Sequence, residues 1–213
     1  WGLVPEELVD KVAGNLARRV EADNYHIDVG LLGTKAILNA LSENGYADLA
    51  STLASQETFP SWGWWIVNGA TTLYENWPVD ATDDISMNHI MFGEIGAWFY
   101  KAFGGIKPDP EQPGFKNILL KPYFVEGLSF ARTEHFSPYG EILSKWTKNK
   151  NRIRYEVTIP ANSSADMFLP EDYSLKGMKF STGEKLSRLD KNAEGSYYLK
   201  AGSYVFDLKK GPE

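Results

Sequence analysis

The chain has 213 residues, a formal net charge of −6 at pH 7, three histidines and no cysteine. This length is enough for one large domain or two small ones with a sizeable core. A negative net charge without a basic cluster in the sequence argues against binding to nucleic acid or to an anionic membrane surface, and it is compatible with a neutral ligand such as a glycoside. The absence of cysteine excludes a disulfide framework and thiolate metal sites, and it leaves the cellular compartment open.

The histidines give no sign of a metal centre. His26, His89 and His135 stand far apart in the sequence, without the spacing of metal ligands, and nothing else calls for a metal or an organic cofactor. No run of 18 apolar residues is present, so the sequence predicts no transmembrane helix. Because Trp1 falls in the middle of a pattern, we expect the natural protein to begin further upstream.

Helical periodicity dominates the first half of the chain. Pro5, followed by two glutamates, opens an amphipathic helix over residues 5–20. Thr34 is predicted to cap a second helix that ends at Asn44 and Gly45. A third helix is expected over residues 46–54, and a fourth over residues 87–103, where two glycines follow.

A different pattern begins after a proline-rich stretch at residues 107–122. Apolar and polar residues then alternate with a period of two, for example over residues 153–159, and turn residues separate the short segments. This rhythm is typical of an antiparallel β-sandwich. The sequence therefore predicts an α+β chain of two domains, a helical one over residues 1–110 and a β-sandwich over residues 111–213.

The stretch from Phe59 to Trp77 holds four of the seven tryptophans and one carboxylate, Glu75. Glycines and prolines interrupt it, so neither a helix nor a strand pattern holds across it. One interpretation is a wall that binds a flat, hydroxyl-rich ligand, because aromatic faces stack on sugar rings. The other is an irregular plug of the core with Glu75 paired to a cation, and the residues alone leave both open.

Several motifs of this half resemble those of the bacterial α-L-rhamnosidases. They are Pro-Ser-Trp-Gly at residues 60–63, Gly-Ala-Thr-Thr-Leu-Tyr-Glu-Asn-Trp at residues 69–77, His-Ile-Asp-Val-Gly-Leu-Leu-Gly-Thr at residues 26–34, Asn88-His89 with Phe92-Gly93, and Gly-Gly-Ile-Lys-Pro-Asp at residues 104–109 with Pro-Gly-Phe at residues 113–115. The resemblance covers most of residues 24–122 and thins beyond Gly127.

The resemblance implies an inverting glycoside hydrolase that releases terminal α-L-rhamnose from a rhamnose-containing glycoside. It also implies that the four predicted helices are the last of an (α/α)6 barrel, with the remainder of the barrel upstream of Trp1. Glu75 occupies the position of the family's general base, so we expect it to activate the attacking water.

The general acid has no matching motif in this chain. Asp28, Asp80, Asp83 and Asp84 are carboxylates in predicted loops, and nothing in the sequence singles out one of them. This chain is therefore expected to supply the base and part of the sugar pocket, but not the acid.

Four further residues are candidates for substrate binding. The resemblance places His89 where the family contacts sugar hydroxyls, although a histidine at a helix start can also serve as a cap. His26 lies in a loop before Gly30, and Trp62 and Trp77 are candidate stacking platforms. Trp98 and Trp146 follow helix and strand periodicity and are predicted to lie in the core.

Two alternative functions, neither of which involves hydrolysis by this chain, remain open. The β half could be a carbohydrate-binding module with sugar-stacking aromatic residues, for which the candidates are Tyr123, Phe124, Tyr139, Tyr197 and Tyr198. Alternatively, the whole chain could be a structural module that completes another protein's barrel. The compartment, whether periplasmic, extracellular or cytoplasmic, cannot be read from the sequence.

Overall fold

A computed structural model describes residues 3–27, 29–80, 85–184, 189 and 191–211. The chain divides into two compact units, Trp1–Trp98 and Phe99–Glu213, which we call the first and second units. The predicted mixture of helices and strands is confirmed, whereas a division near residue 110 stays a prediction. The described helices are α1 (Val9–Ala22), α2 (Leu31–Glu43), α3 (Ala47–Ala54), α4 (Trp62–Val67) and α5 (Glu94–Ala102).

Helices α1 to α3 agree with the predicted helices apart from their ends. Helix α1 buries Ala13, Ala17 and Val20 on one stripe, at the spacing that an amphipathic helix requires. The N-cap prediction for Thr34 was wrong, because α2 begins at Leu31 and Thr34 lies inside the helix. The Thr34 hydroxyl instead donates a hydrogen bond to the Leu31 carbonyl oxygen at 2.8 Å.

The last predicted helix begins later than expected. Helix α5 starts at Glu94, after a single 3-10 turn over Ile90–Phe92, rather than at residue 87. Trp98 is buried, as predicted, and its indole N–H donates to Ser42 Oγ of α2 at 2.9 Å. Among the described helices, none has both the length and the apolar character needed to span a membrane.

The second unit forms one seven-stranded sheet. The strands are β1 (Ile106–Pro108), β2 (Asn117–Leu120), β3 (Phe130–Ser137), β4 (Gly140–Asn149), β5 (Arg152–Met167), β6 (Tyr173–Phe180) and β7 (Tyr197–Lys210). Strand β5 lies at the centre of the sheet and pairs with β2, β4 and β7. All strand pairs are antiparallel except β2 with β5, which is parallel.

The sequence suggested more and shorter strands than the structure contains. Residues 153–159 looked like one short strand ended by turn-forming residues, yet they belong to the 16-residue strand β5, which continues to Met167. Asn162 adopts the left-handed conformation (φ +64°), and the pairing of β5 with β7 shifts register between Ile159 and Ser164. Such a bulge bends a strand without reversing it.

The core of the second unit lies on one face of this bent sheet. Alternate residues of β5 and β7 point into it, together with Trp146 of β4, which is fully buried as predicted. The Tyr155 hydroxyl lies 3.1 Å from Ser144 Oγ, and burial raises the pKa of this phenol. The opposite residues of β5, such as Arg152 and Arg154, are exposed to solvent.

A buried amide ties β2 to its neighbours. Asn117 is 3% exposed, and its Nδ2 donates to Asp109 Oδ2 at 2.9 Å and to Asp166 Oδ2 at 2.8 Å. Its Oδ1 accepts a hydrogen bond from Ser164 Oγ at 2.7 Å. The bond from Asn117, followed by the one from the Glu111 backbone N–H, lowers the pKa of Asp109 below its ordinary value of 3.8.

We expect Asn117→Ala to change how stability depends on pH. Because the pKa of Asp109 is lower in the folded state, its ionised form stabilises the fold above the ordinary pKa, and this stabilisation is lost as the pH falls through the folded value. In Asn117→Ala, the free energy of unfolding should therefore fall less steeply than in wild type between about pH 5 and about pH 3. The substitution should also lower the free energy of unfolding at pH 7 by about 1–3 kcal/mol, since it leaves hydrogen-bonding groups unpaired.

Urea denaturation at several pH values measures both effects. Asn151→Ala, at an exposed turn, is the control and should follow the wild-type curve within about 0.5 kcal/mol. A wild-type pH dependence in Asn117→Ala would show that the amide does not set the pKa of Asp109.

Candidate active site

The aromatic stretch contains a short helix that the sequence did not predict. The Ser61 hydroxyl accepts a hydrogen bond from the Trp64 backbone N–H at 2.9 Å and thereby caps α4. The helix ends at Val67, and Gly69, two residues later, has a φ of +85°, which favours glycine. With only six residues, α4 is too short to show a helical periodicity in the sequence.

Five aromatic side chains pack around α4 and form what we call the aromatic cluster. Neighbouring ring centroids lie 4.4–5.6 Å apart, within the usual range for aromatic pairs. The cluster comprises Trp62, Trp65, Tyr74, Trp77 and Phe92. All five are buried, and Trp65 is only 1% exposed.

Backbone carbonyl groups satisfy the three buried indole N–H groups of the aromatic cluster. Trp62 donates to the Phe92 oxygen at 3.0 Å, Trp65 to the Trp77 oxygen at 2.9 Å, and Trp77 to the Val29 oxygen at 3.1 Å. These bonds connect three segments that are distant in sequence. The cluster therefore fixes the backbone around Glu75, which lies between Tyr74 and Trp77 in the sequence.

Glu75 lies on an irregular segment beside this cluster. Residues 72–75 run alongside residues 86–89: the His89 N–H donates to the Leu73 oxygen at 2.8 Å, and the Glu75 N–H donates to the Ser86 oxygen at 2.9 Å. This pairing explains why residues 87–89 are not helical. It also fixes the backbone on both sides of Glu75.

The side chain of Glu75 is held by the same segment. Its Oε2 accepts a hydrogen bond from the Ser86 backbone N–H at 2.9 Å. The residue is half-buried, and within the described ranges no donor contacts its second oxygen, Oε1. The core-plug interpretation required a cation paired with Glu75, and among the described residues no side chain forms such an ion pair. The carboxylate thus has one oxygen fixed and one available to accept a proton.

The two candidate histidines have local partners. His89 precedes the 3-10 turn, and its Nδ1 accepts a hydrogen bond from the Met91 backbone N–H at 3.3 Å. The predicted capping role is thereby confirmed, although the element that His89 caps is a 3-10 turn. His26 Nε2 lies 2.7 Å from Thr58 Oγ1, and its Nδ1 lies 3.3 Å from the Asp23 oxygen. The role of either histidine in sugar binding stays a prediction.

Trp62 and Trp77 contribute less surface than a stacking platform needs. They are 4% and 8% exposed, and their rings pack edge to face with centroids 5.4 Å apart. Only a small part of either side chain is therefore open to contact with a sugar. Their stacking on a sugar stays a prediction. In the fold, both side chains are buried members of the aromatic cluster that packs next to Glu75.

Most candidates for the general acid lie outside the described residues. This holds for Asp28, Asp83 and Asp84, while Asp80 is exposed at the end of a described segment. Across the described parts of the chain, no group of three or more histidine, cysteine or carboxylate side chains could hold a metal ion. The aromatic candidates for a carbohydrate-binding module are not all exposed to solvent, since Phe124 is buried in the core whereas Tyr198 is exposed.

The sequence did not reveal the part played by Ser86. It acts through its backbone N–H and carbonyl, which every residue but proline possesses, so no residue type marks the position. Only the pairing of residues 72–75 with residues 86–89 brings it to Glu75.

Comparison with known proteins identifies the family. A model of the bacterial α-L-rhamnosidase six-hairpin glycosidase domain matches residues 1–103, and a model of the bacterial α-L-rhamnosidase C-terminal domain matches residues 105–184. The chain belongs to the bacterial α-L-rhamnosidase family. The family assignment expected from the motifs is thereby confirmed.

Relatives within this family align over nearly the whole chain. Proteins named α-L-rhamnosidase from Formosa agariphila and Alteromonas sp. (strain LOR) are 34% and 33% identical to it, each over 98% of this chain. The chain spans only 24% and 22% of the lengths of these two relatives.

Solved structures of α-L-rhamnosidases have the same fold over this region. The α-L-rhamnosidase from Dictyoglumus thermophilum superposes with a TM-score of 0.83 at 32% identity, over 98% of this chain and 24% of its own. The Streptomyces avermitilis α-L-rhamnosidase, solved in complex with L-rhamnose, gives a TM-score of 0.80 at 27% identity, over 97% of this chain and 20% of its own.

Proposed function

We propose that this chain forms part of an α-L-rhamnosidase that releases terminal α-L-rhamnose with inversion, with Glu75 as the general base. The observation that carries the proposal is that, in a chain of this family, the Glu75 carboxylate is held in place and still partly exposed. One oxygen is fixed by the Ser86 N–H at 2.9 Å, and the side chain keeps partial access to solvent. A fixed, accessible carboxylate is what a base that activates water requires.

The reaction needs two carboxyl groups on opposite sides of the scissile bond. In inverting glycosidases one carboxylic acid protonates the leaving oxygen, while the other group, as carboxylate, takes a proton from the attacking water. The two groups stand about 6.5–9.5 Å apart, which leaves room for that water. Glu75 takes the second role, and the rest of the protein supplies the acid.

The surroundings of Glu75 support this assignment. The aromatic cluster fixes the backbone behind the carboxylate, so little reorganisation accompanies the transfer of the proton. We assign His89 and His26 to contacts with sugar hydroxyls, since imidazole nitrogens can donate or accept hydrogen bonds. Trp62 and Trp77 would contact the sugar through the small part of each side chain that is exposed.

The remainder of the protein is the expected partner of the first unit. We infer that the helices of this unit are part of an (α/α)6 barrel and that the bent sheet is a β-sandwich domain. Large apolar side chains on the helical unit support this, because Leu32, Ile66 and Ile90 are 80%, 71% and 84% exposed. In a complete barrel, further helices would cover these side chains.

The identity of the anomer that forms first tests the proposal. We expect the longer natural protein to convert an aryl α-L-rhamnoside into β-L-rhamnose before the sugar equilibrates in water. Proton NMR recorded during the first minutes of hydrolysis distinguishes the two anomers. The appearance of α-L-rhamnose first would rule out inversion, and a lack of hydrolysis would rule out the proposed activity.

A further inference from the structure

The outward face of the sheet carries a groove that the proposed hydrolysis does not use. Its volume is about 460 Å³, and it lies across β4, β5, β6 and β7 of the second unit. The described lining has five basic and two acidic side chains, which gives a formal charge of +3 on a chain whose net charge is −6. We call it the basic groove; its charged residues are Lys145, Arg152, Arg154, Lys176, Lys209, Glu156 and Asp207.

The sequence prediction of no basic cluster overlooked residues 145–154, which hold five basic and no acidic side chains. Lys145, Arg152 and Arg154 of this segment line the groove, and strands β6 and β7 add Lys176 and Lys209. Arg152 of β5 lies directly opposite Lys209 of β7 in the antiparallel ladder. Like charges at directly opposed positions destabilise a sheet. The neighbours of this pair across the sheet are Asn149 and Ser174, so this row of described residues contains no carboxylate.

The acidic side chains neutralise only part of the groove. Glu156 Oε1 lies 3.1 Å from Lys145 Nζ and 3.4 Å from Arg154 Nε. Partial burial alone would raise the pKa of Glu156, but the hydrogen bond and charge of Lys145, together with Arg154, lower it below its ordinary value. Among the described residues, no carboxylate forms an ion pair with Arg152 or Lys209.

A β-bulge shapes the floor of the groove. The pairing of β6 with β7 shifts between Leu175 and Gly177, so Lys176 is the extra residue and Gly177 lies opposite Asp207. A Cβ atom at Gly177 would lie 3.3 Å from Asp207 Oδ2, closer than most side-chain contacts. The bulge thus adds a cation to the groove, and the glycine leaves space above the Asp207 carboxylate.

We propose that the basic groove binds an oligosaccharide that carries carboxylate groups, that is, a uronate-containing glycan. Guanidinium groups pair with carboxylates through two parallel hydrogen bonds, and Arg152 is free to do so. Thr147 and Asn149, which also line the groove, provide hydrogen bonds for sugar hydroxyls. The volume suits a short segment of a chain rather than a single ion.

The same features disfavour nucleic acid as the ligand. The described lining contains no aromatic side chain on which a base could stack. A uronate glycan carries hydroxyl groups beside its carboxylates, and these can form hydrogen bonds with the polar side chains that lie between the cations.

Isothermal titration calorimetry of the full chain with short galacturonate oligomers tests this inference. We expect binding that weakens at least about tenfold when Arg152→Gln and Lys209→Gln are combined, because each charge-assisted contact contributes strongly. The control combines Lys121→Gln with Lys200→Gln, which removes the same charge at exposed positions outside the groove and should bind like wild type. Thermal unfolding shows whether the variants remain folded.

Two further ligands and one further variant complete the test. Methyl-esterified galacturonate oligomers keep the shape but lose the charge, and they should not bind. The Glu75→Gln variant should bind the galacturonate oligomers as tightly as wild type, because Glu75 is not part of the basic groove. The binding proposal can therefore hold even if the proposed hydrolysis fails. Absence of binding, equal binding of the methyl ester, an equal loss in the control variant, or equally tight groove-dependent binding of single-stranded DNA or dextran sulfate would each overturn the inference.

Discussion

Glu75→Gln should lower kcat of the longer natural protein on an aryl α-L-rhamnoside by about two to four orders of magnitude, the usual contribution of acid–base catalysis. Glutamine has nearly the same shape, and its amide oxygen can still accept the hydrogen bond from the Ser86 N–H. It cannot take a proton from water. The loss should therefore appear in kcat, with little change in KM, because substrate binding is largely retained.

A matched variant separates this effect from a general loss of charge. Glu57→Gln makes the same change at an exposed glutamate of the first unit and should retain the wild-type kcat. Circular dichroism and thermal unfolding of both variants check that the fold is intact. A kcat of Glu75→Gln within about threefold of wild type would remove Glu75 from the chemistry.

This chain purified alone should release no rhamnose above the uncatalysed background. Inversion needs two carboxyl groups facing one sugar, and only Glu75 lies in a motif that assigns it such a role. The chain also spans only 22% and 24% of the relatives with which it aligns over 98% of its own length. A carboxylate without its opposing wall lacks the preorganised, water-excluding surroundings on which catalysis depends.

The measurement follows release of the aryl group over hours, with the isolated chain and its Glu75→Gln variant side by side. The longer natural protein at the same concentration is the positive control. Turnover by the isolated chain that disappears in Glu75→Gln would mean that the general acid lies within residues 1–213. The first residues to test would then be Asp28 and the aspartates at positions 80, 83 and 84.

Sequence periodicity predicted the parts of the fold in which one face of a regular element is buried. Helix α1 and the alternating part of β5 show this, because repeated burial leaves a repeated apolar pattern. The short helix α4 escaped prediction because six residues do not complete two turns. The continuity of β5 escaped prediction because Asn162 is a typical turn residue that here bends a strand.

The candidate site was predictable at the level of residues but not of geometry. The motif around Glu75 pointed to this residue before the fold was known. Its hydrogen bond to Ser86 and the burial of Trp62 and Trp77 depend on contacts between distant segments and on backbone groups that no residue type encodes. The basic groove was only partly predictable, since residues 145–154 supply three of its cations whereas Lys176 and Lys209 join them only through the pairing of β6 and β7.

The pH dependence of kcat/KM in the longer natural protein, compared with that of Glu75→Gln, tests the assignment of the base most directly. An essential base must be ionised, so activity falls on the acidic side of the profile, whereas an essential acid produces the fall on the alkaline side. If Glu75 is the base, the acidic fall should disappear in Glu75→Gln and the remaining slow reaction should keep the alkaline fall. Persistence of the acidic fall in the variant would contradict this role for Glu75.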